Sequence, residues 1–187
     1  MFHAAVIKST IKGKTHVSTT SYVSPTMREL DQQVKDVWIV ILNEIGLDPG
    51  IDHLYVIKTI DEVHAKGGKI KQFLSYGGLL IPEFSNNPLS YKFSWSSHGV
   101  LLALLNNTSY ISNSQIVSVL RTELMSMAKP YFISSAFAFV VYPNCDSVLF
   151  KEWYGILEAE TTIRGTLRYQ GFPEFIKTCR DWLVGCK

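Results

Sequence analysis

The sequence predicts an α/β protein, in which the second half of a doubly wound parallel sheet is followed by an α+β domain with a mixed sheet. Over the first 65 or so of the 187 residues, helical and strand periodicities alternate as α-β-α-β-α. After about Lys69, short strand-like runs separated by turn residues predominate. A chain of this length accommodates one large domain or two small ones.

In the first part, apolar spacing of three and four predicts helices, and compact β-branched or continuous apolar runs predict strands. Ser24-Pro25 supplies an N-cap followed by proline at the first helical position, and Gly67-Gly68 ends the last helix. That helix should turn Leu54 and Ile57 inward, together with Ile60 and Val63. The predicted elements are a helix at 2–11, a strand at 15–20, a helix at 26–36, a parallel strand covered on both faces at 38–42, and a helix at 51–65.

In the second part, a strand is followed by a loop rich in Gly, Pro and Asn and then by a short apolar helix, which Ser96 or Ser97 can cap. Further short strands follow, and an amphipathic helix closes the chain. The predicted elements are strands at 69–76, 110–111, 115–120, 136–142 and 161–169 and helices at 99–105 and 172–184.

Composition excludes several classes of function. The net charge is +2 with no basic run, so we expect no nucleic-acid partner. The longest uncharged apolar stretch, 130–145, is too short to span a bilayer, and no leader pattern opens the chain, so we expect a cytoplasmic protein without a membrane partner. Three cysteines and five scattered histidines match no metal-site spacing. Neither G-x-S-x-G nor G-x-G-x-x-G occurs.

The most informative loop, NEIGLDPGID, places Asp48 just after a predicted parallel strand. Parallel sheets bind ligands at the carboxyl ends of their strands, so Asp48 is a candidate site residue. The alternative is that Asp48 caps the following helix, with Pro49 setting the turn. Thr19, Thr20 and Ser21 end the preceding strand, and their hydroxyls either meet the same ligand or form an ordinary turn.

Arg164 and Arg168 stand four residues apart on a predicted strand, which places both on one face. Two such cations suit a bidentate grip on a carboxylate, and the alternative is a solvated strand face paired with Glu158 or Glu160. Trp95 either walls a pocket or fills the core.

Several long segments resemble one known family in collinear order. They are HVSTTSYVSPTMRELD, NEIGLDPGIDHLYVIKTIDEVHAKGGKI, SNNPLSYKFSWSS, ELMSMAKPYFI and RGTLRYQGFPEFIK. The chain resembles the fungal saccharopine dehydrogenases, the L-glutamate-forming saccharopine reductases of lysine biosynthesis. The resemblance implies an enzyme that joins glutamate to 2-aminoadipate 6-semialdehyde as an imine, which NADPH reduces to saccharopine.

The resemblance also implies domains and site residues. Residues 1–67 would be the C-terminal part of a Rossmann-like NADP-binding domain, and residues 68–187 an incomplete substrate and dimerisation domain, with a homodimer as the expected assembly. Asp48 would be the catalytic candidate at the junction of nicotinamide and substrate. The implied substrate residues are Thr20, Ser21, Asp48, Thr166, Leu167 and Arg168, and the implied cofactor residues are Thr19, Thr20, Leu47, Asp48, Pro49 and Trp95.

Three departures from the family pattern stand out. The glycine-rich cofactor turn would lie upstream of Met1, so we expect the chain alone to bind NADPH weakly. The family reads SYCGGLPAPE where this chain reads SYGGLLIPE, and Cys145 replaces an arginine expected to bind substrate. The alternative function is therefore a catalytically inactive truncated homologue that acts at most as an association module.

Overall fold

The computed structural model describes residues 2–78 and 96–185. It divides into two compact units, Met1–Lys66 and Gly67–Lys187. The predicted fold class is confirmed, because a parallel strand pair with helices is followed by a mixed sheet. The domain boundary after residue 67 and the role of each part stay predictions.

The first unit contains four helices and two short strands among the described residues. A parallel pairing joins its two strands, with Val17 opposite Ile41. In chain order the elements are α1 (His3–Gly13), β1 (Val17–Ser18), α2 (Pro25–Arg28), α3 (Asp31–Asp36), β2 (Ile41–Leu42) and α4 (Ile51–Ala65).

Helices α1 to α3 cover one face of this parallel pair. Their core consists of Ile7, Met27 and Leu30, and Ile41 of β2 packs against it. Ser24 caps α2 as predicted, because its hydroxyl accepts a hydrogen bond from the Met27 amide at 3.3 Å. The single helix predicted over 26–36 is wrong. The Leu30 amide bonds the carbonyl of Met27, three residues back, which tightens the chain and separates α2 from α3.

The predicted burial of both faces of the strand at 38–42 is also wrong. Ile39 is buried, whereas Trp38 is 90% exposed and Val40 and Leu42 are about half exposed. Helix α4 differs from its predicted burial in the same way, because Ile60 is buried but Leu54 is 68% exposed. Ile57 is exposed as well. The physical reason is that the two-stranded sheet of this unit is too small to cover these faces.

The second unit is built on a six-stranded mixed sheet. Its helices lie between the strands in sequence and at the end of the chain. In chain order the elements are β3 (Gln72–Gly77), α5 (Ser97–Ala103), β4 (Thr108–Ser112), β5 (Gln115–Val119), a 3₁₀ helix (Leu124–Met127), β6 (Lys129–Tyr131), β7 (Phe139–Pro143), α6 (Phe150–Trp153), β8 (Thr161–Tyr169) and α7 (Phe172–Gly185).

Strand β8 is the centre of this sheet. It pairs in parallel with β3, from Thr161 opposite Gln72 to Thr166 opposite Gly77, and antiparallel with β4 and β7. The hairpin partner β5 extends the sheet beyond β4, and β6 extends it beyond β7. The strand predicted at 161–169 therefore has three neighbours, which explains why five of its nine residues are buried.

Strand β7 contributes residues to two buried clusters, one on each face. Leu167, Phe139 and Val141 form one cluster, with the rings of Tyr76 and Tyr169 packed against it. A second cluster contains Val100, Val119, Leu124, Met125, Tyr142 and Phe172. Sequence analysis missed the 3₁₀ helix, β6 and α6, because each has only three or four residues and shows no full period.

Two further expectations concern the same unit. Ser96 precedes α5 as a predicted cap, and its hydroxyl accepts a hydrogen bond from the Gly99 amide at 3.1 Å. Most of the predicted Gly, Pro and Asn loop lies outside the described residues. Within the described part of the chain, no helix combines the length and apolar character needed to cross a membrane.

Candidate functional site

The carboxyl ends of β1 and β2 meet through backbone hydrogen bonds. The Thr19 carbonyl accepts from the Ile45 amide at 3.1 Å, and the Ser21 carbonyl accepts from the Glu44 amide at 3.2 Å. The parallel pairing of the strands causes this meeting, since it brings both carboxyl ends to one edge. The two candidate segments of this unit, 19–21 and 47–49, are thereby neighbours.

The loop from Gly46 to Gly50 is closely packed under Thr20. A Cβ on Gly46 would stand 3.2 Å from the Thr20 Cβ and 3.0 Å from the Pro49 carbonyl, so a side chain there would push these neighbours apart by a few tenths of an ångström. Gly50 has φ +151°, and a Cβ there would meet the backbone of Gly46. The Asp48-Pro49 peptide bond is cis. The close packing at Gly46 and Gly50 holds Asp48 next to the end of β1.

The Asp48 carboxylate is bound by a neighbouring phenol. Tyr22 donates its hydroxyl hydrogen bond to Asp48 Oδ1 at 2.8 Å. The alternative, in which Asp48 caps α4, is wrong because Gly50 is the N-cap residue. Asp52 is the residue whose carboxylate bonds the start of α4, because it accepts a hydrogen bond from the Gly50 amide at 2.8 Å. Asp48 thus bonds the Tyr22 phenol, while Gly50 and Asp52 form the start of the helix.

Leu47 and Pro49, on either side of Asp48, differ in their exposure to solvent. Leu47 is 76% exposed, whereas Pro49 is buried. The first backbone amides of α4 already have partners within the loop, since Ile51 donates to Gly46 and Asp52 donates to Leu47. The start of α4 is therefore not a free anion site, although helix N-termini commonly bind phosphate.

Sequence reasoning missed two contacts at these strand ends. The Ser21 hydroxyl lies 3.0 Å from His3 Nε2, and the Glu44 carboxylate accepts from the Val23 amide at 3.0 Å. His3 and Glu44 lie 18 and 23 residues away from Ser21 in the chain. No spacing rule links them to the site, because helix α1 and β2 reach it only through the tertiary fold.

In the second unit, three predicted substrate residues lie on β8. Thr166 and Arg168 are buried, and the Arg168 side chain is only 6% exposed. Arg168 Nη1 donates to the Gly78 carbonyl at 2.6 Å and to the Leu167 carbonyl at 2.8 Å. The Leu167 side chain packs in the core with Phe139, so only its backbone can face a ligand. The solvated strand face considered for Arg168 is therefore wrong.

The two arginines contact different aromatic rings. Arg164 Cζ lies 4.9 Å from the centre of the Phe150 ring, and Arg168 Cζ lies 5.2 Å from the centre of the Phe172 ring. Cation–π contacts of this kind hold a guanidinium in place. A joint grip by the two arginines on one carboxylate stays a prediction.

Cys145 and Trp95 are the two remaining predicted positions. Cys145 is exposed, has φ +54°, and its carbonyl accepts from the Ser109 amide at 3.3 Å. Trp95 lies outside the described residues. Among the described residues, no group of three or more His, Cys, Asp or Glu side chains is arranged to bind a metal.

Comparison with known proteins identifies close relatives. The family model of the saccharopine dehydrogenase C-terminal domain matches residues 46–186. The chain is 66% identical over 181 residues to saccharopine dehydrogenase (NADP⁺, L-glutamate-forming) of Pyricularia oryzae, covering 96% of this chain and 40% of that protein. It is 45% identical over 180 residues to alpha-aminoadipic semialdehyde synthase of Arabidopsis thaliana, covering 94% of this chain and 17% of that protein.

A solved structure agrees with these relatives. The apo histidine-tagged saccharopine dehydrogenase (L-Glu forming) from Saccharomyces cerevisiae superposes with a TM-score of 0.86 at 62% sequence identity. The superposition covers 96% of this chain and 41% of that chain. The chain thus spans about two fifths of the length of the fungal relatives that it matches.

Proposed function

We propose, because the chain belongs to the saccharopine dehydrogenase family, that it provides the substrate-binding part of an NADP-dependent saccharopine dehydrogenase of lysine biosynthesis. In this proposal the enzyme reduces the imine of glutamate and 2-aminoadipate 6-semialdehyde to saccharopine. The observation that carries the proposal is the parallel pairing of β1 with β2, which joins the Thr19–Ser21 segment to the loop of Asp48.

The nicotinamide end of NADP fits the residues at these strand ends. The exposed Leu47 side chain can cover a flat ring, and the Thr19 and Thr20 hydroxyls can bond a carboxamide. Asp48 and Pro49 complete the proposed cofactor contacts of this unit, and the role that the resemblance implies for Trp95 lies outside the described residues. The pyrophosphate does not fit here, because the first amides of α4 are already bonded. When bound, NADPH supplies the hydride.

The chain's own residues bind and orient the substrate in this proposal. Asp48, hydrogen-bonded by Tyr22, holds a proton near the reacting imine nitrogen, and Thr20 and Ser21 bond the adjacent polar groups. Arg168, with the backbone of Thr166 and Leu167, binds a saccharopine carboxylate through a charge-assisted bond. The positions of Thr20, Ser21 and Asp48 around one loop support this division of roles.

A chimera tests the proposal. This chain replaces the matching segment of the Pyricularia oryzae enzyme, and saccharopine-dependent formation of NADPH is followed by absorbance. We expect turnover in the chimera, and Asp48→Asn should lower kcat by about a hundredfold. The control Asp61→Asn, on the exposed surface of α4, should leave kcat unchanged. A folded chimera that binds NADPH but never turns over would instead support the association-module function.

We also propose a homodimer and a cytosolic location. The three cysteines at spacings that match no zinc pattern fit thiols in a reducing compartment, and the resemblance supports the dimer. Light scattering on the purified chain and fractionation of tagged cells test the two statements. A monomer at micromolar concentration, or recovery in an organelle fraction, would contradict them.

A further inference from the structure

Gly78 lies directly after β3, where its carbonyl meets the side chain of Arg168. The distance from Arg168 Nη1 to the Gly78 oxygen is 2.6 Å, a short charge-assisted hydrogen bond. Ninety residues separate the two in the chain. The parallel pairing of β3 with β8 brings them together, because Gly77 is opposite Thr166 in the ladder.

Glycine is favoured at position 78 for two separate reasons. Its φ is +80°, which residues with a side chain rarely adopt. A Cβ at this position would also stand 3.1 Å from Arg168 Nη1 and 3.9 Å from Thr166 Cγ2. The guanidinium would have to move away from such a Cβ. Glycine therefore permits the close approach of carbonyl and guanidinium.

The ring of Phe172 provides a further contact to the guanidinium, besides the carbonyls of Gly78 and Leu167. Phe172 is buried at the start of α7, and its ring centre lies 5.2 Å from Arg168 Cζ. The side chain of Arg168 is thus bounded by a carbonyl after β3 and by a ring of α7. A buried arginine held by two elements has lost most of its rotamer freedom before any ligand arrives.

We propose that Gly78 is a positioning residue, whose carbonyl acts with the Phe172 ring to hold the Arg168 guanidinium in the orientation that receives a substrate carboxylate. This inference rests on the proposed function, in which Arg168 binds that carboxylate. Preorganisation of the cation lowers the cost of binding, so loss of the Gly78 carbonyl contact should weaken carboxylate affinity.

The experiment uses the full chain labelled with ¹⁵N, and the Arg168 Nε signal is assigned by its loss in Arg168→Lys. Gly78→Ala is compared with Gly155→Ala, which also has positive φ, +63°, but has no atom within 4 Å of the added Cβ. Both variants place an alanine at positive φ, but only at position 78 does the added Cβ have close neighbours. Glutarate, a simple dicarboxylate, is the probe for affinity.

We expect Gly78→Ala to shift the Arg168 Nε signal and to weaken glutarate binding by at least about tenfold, whereas Gly155→Ala changes neither. An unchanged Nε signal in folded Gly78→Ala would overturn the inference. If Gly78→Ala does not fold, Phe172→Leu is measured instead. Loss of the ring should shift the Arg168 Nε signal, and an unchanged signal would overturn the inference. If Arg168→Lys binds glutarate with the same affinity as the unaltered chain, Arg168 does not bind the carboxylate and that part of the proposed function fails. The shift of the Arg168 Nε signal in Gly78→Ala still tests whether the Gly78 carbonyl holds the guanidinium.

Discussion

The hydroxyl of Ser147 bonds both backbone groups of Arg164. It accepts from the Arg164 amide at 2.9 Å and donates to the Arg164 carbonyl at 3.3 Å. Ser147 has no exposed surface, and its own amide donates to the Ser109 carbonyl at 2.7 Å. The segment after β7 is thereby attached to β8 and β4 at a single buried residue.

Ser147→Ala should destabilise the second unit by about 1–3 kcal/mol, because the part-buried Arg164 amide would lose its bond to the Ser147 hydroxyl. Ser118→Ala, at an exposed position of β5, is the control and should change stability by less than about 0.5 kcal/mol. Urea unfolding followed by circular dichroism measures both values. Equal midpoints for the two variants would show that the Ser147 bonds contribute nothing.

Tyr76 should cause the free energy of unfolding to fall at alkaline pH. Burial raises the pKa of the Tyr76 phenol, and the nearby Tyr131 and Tyr110 raise it further. The ring packs over Gly165, where a Cβ would meet it, and lies edge-on to Tyr131 with ring centres 5.0 Å apart. The fold therefore favours the neutral phenol.

A group whose pKa is raised by folding stabilises the fold below its unfolded value, and that contribution is lost as pH rises through the folded value. The free energy of unfolding should consequently fall as pH rises above about 10, the ordinary tyrosine value. Tyr76→Phe should reduce this fall, measured by urea unfolding at a series of pH values, and Tyr55→Phe, at an exposed position, should not. The same fall in both variants would contradict the prediction.

These 187 residues alone should bind NADPH with a Kd weaker than about 1 mM. The start of α4 already uses its first amides within the loop, and no G-x-G-x-x-G turn occurs in the sequence to hold the pyrophosphate. Titration of NADPH fluorescence measures the affinity. Micromolar binding would require a phosphate site elsewhere in the chain.

Position 145 should affect substrate binding in the chimera. The resemblance implies an arginine there, and a charge-assisted bond is worth roughly 1.5–3 kcal/mol. Cys145→Arg should therefore raise kcat/KM for saccharopine at least about tenfold, with little change in melting temperature because the side chain is exposed. Asn113→Arg adds the same charge at another exposed residue of positive φ. Equal gains from both substitutions would contradict a specific role for position 145.

The sequence alone determined the elements whose signals are local. The helix Ile51–Ala65 and the strand Thr161–Tyr169 have the predicted bounds, and Ser24 and Ser96 accept the predicted capping bonds. Periodicity and helix caps depend on residues within one or two turns, so they can be predicted from the sequence alone. The placement of Asp48 beyond a parallel strand followed from the same local pattern.

Only the tertiary structure decided which faces are covered and which distant groups meet. Trp38 and Leu54 have apolar side chains but are exposed, because no element of their unit packs on them among the described residues. Arg168 is charged but buried, because β3 brings the Gly78 carbonyl to it across 90 residues of chain. Burial and long-range hydrogen bonding depend on the pairing of whole strands, which no local period encodes.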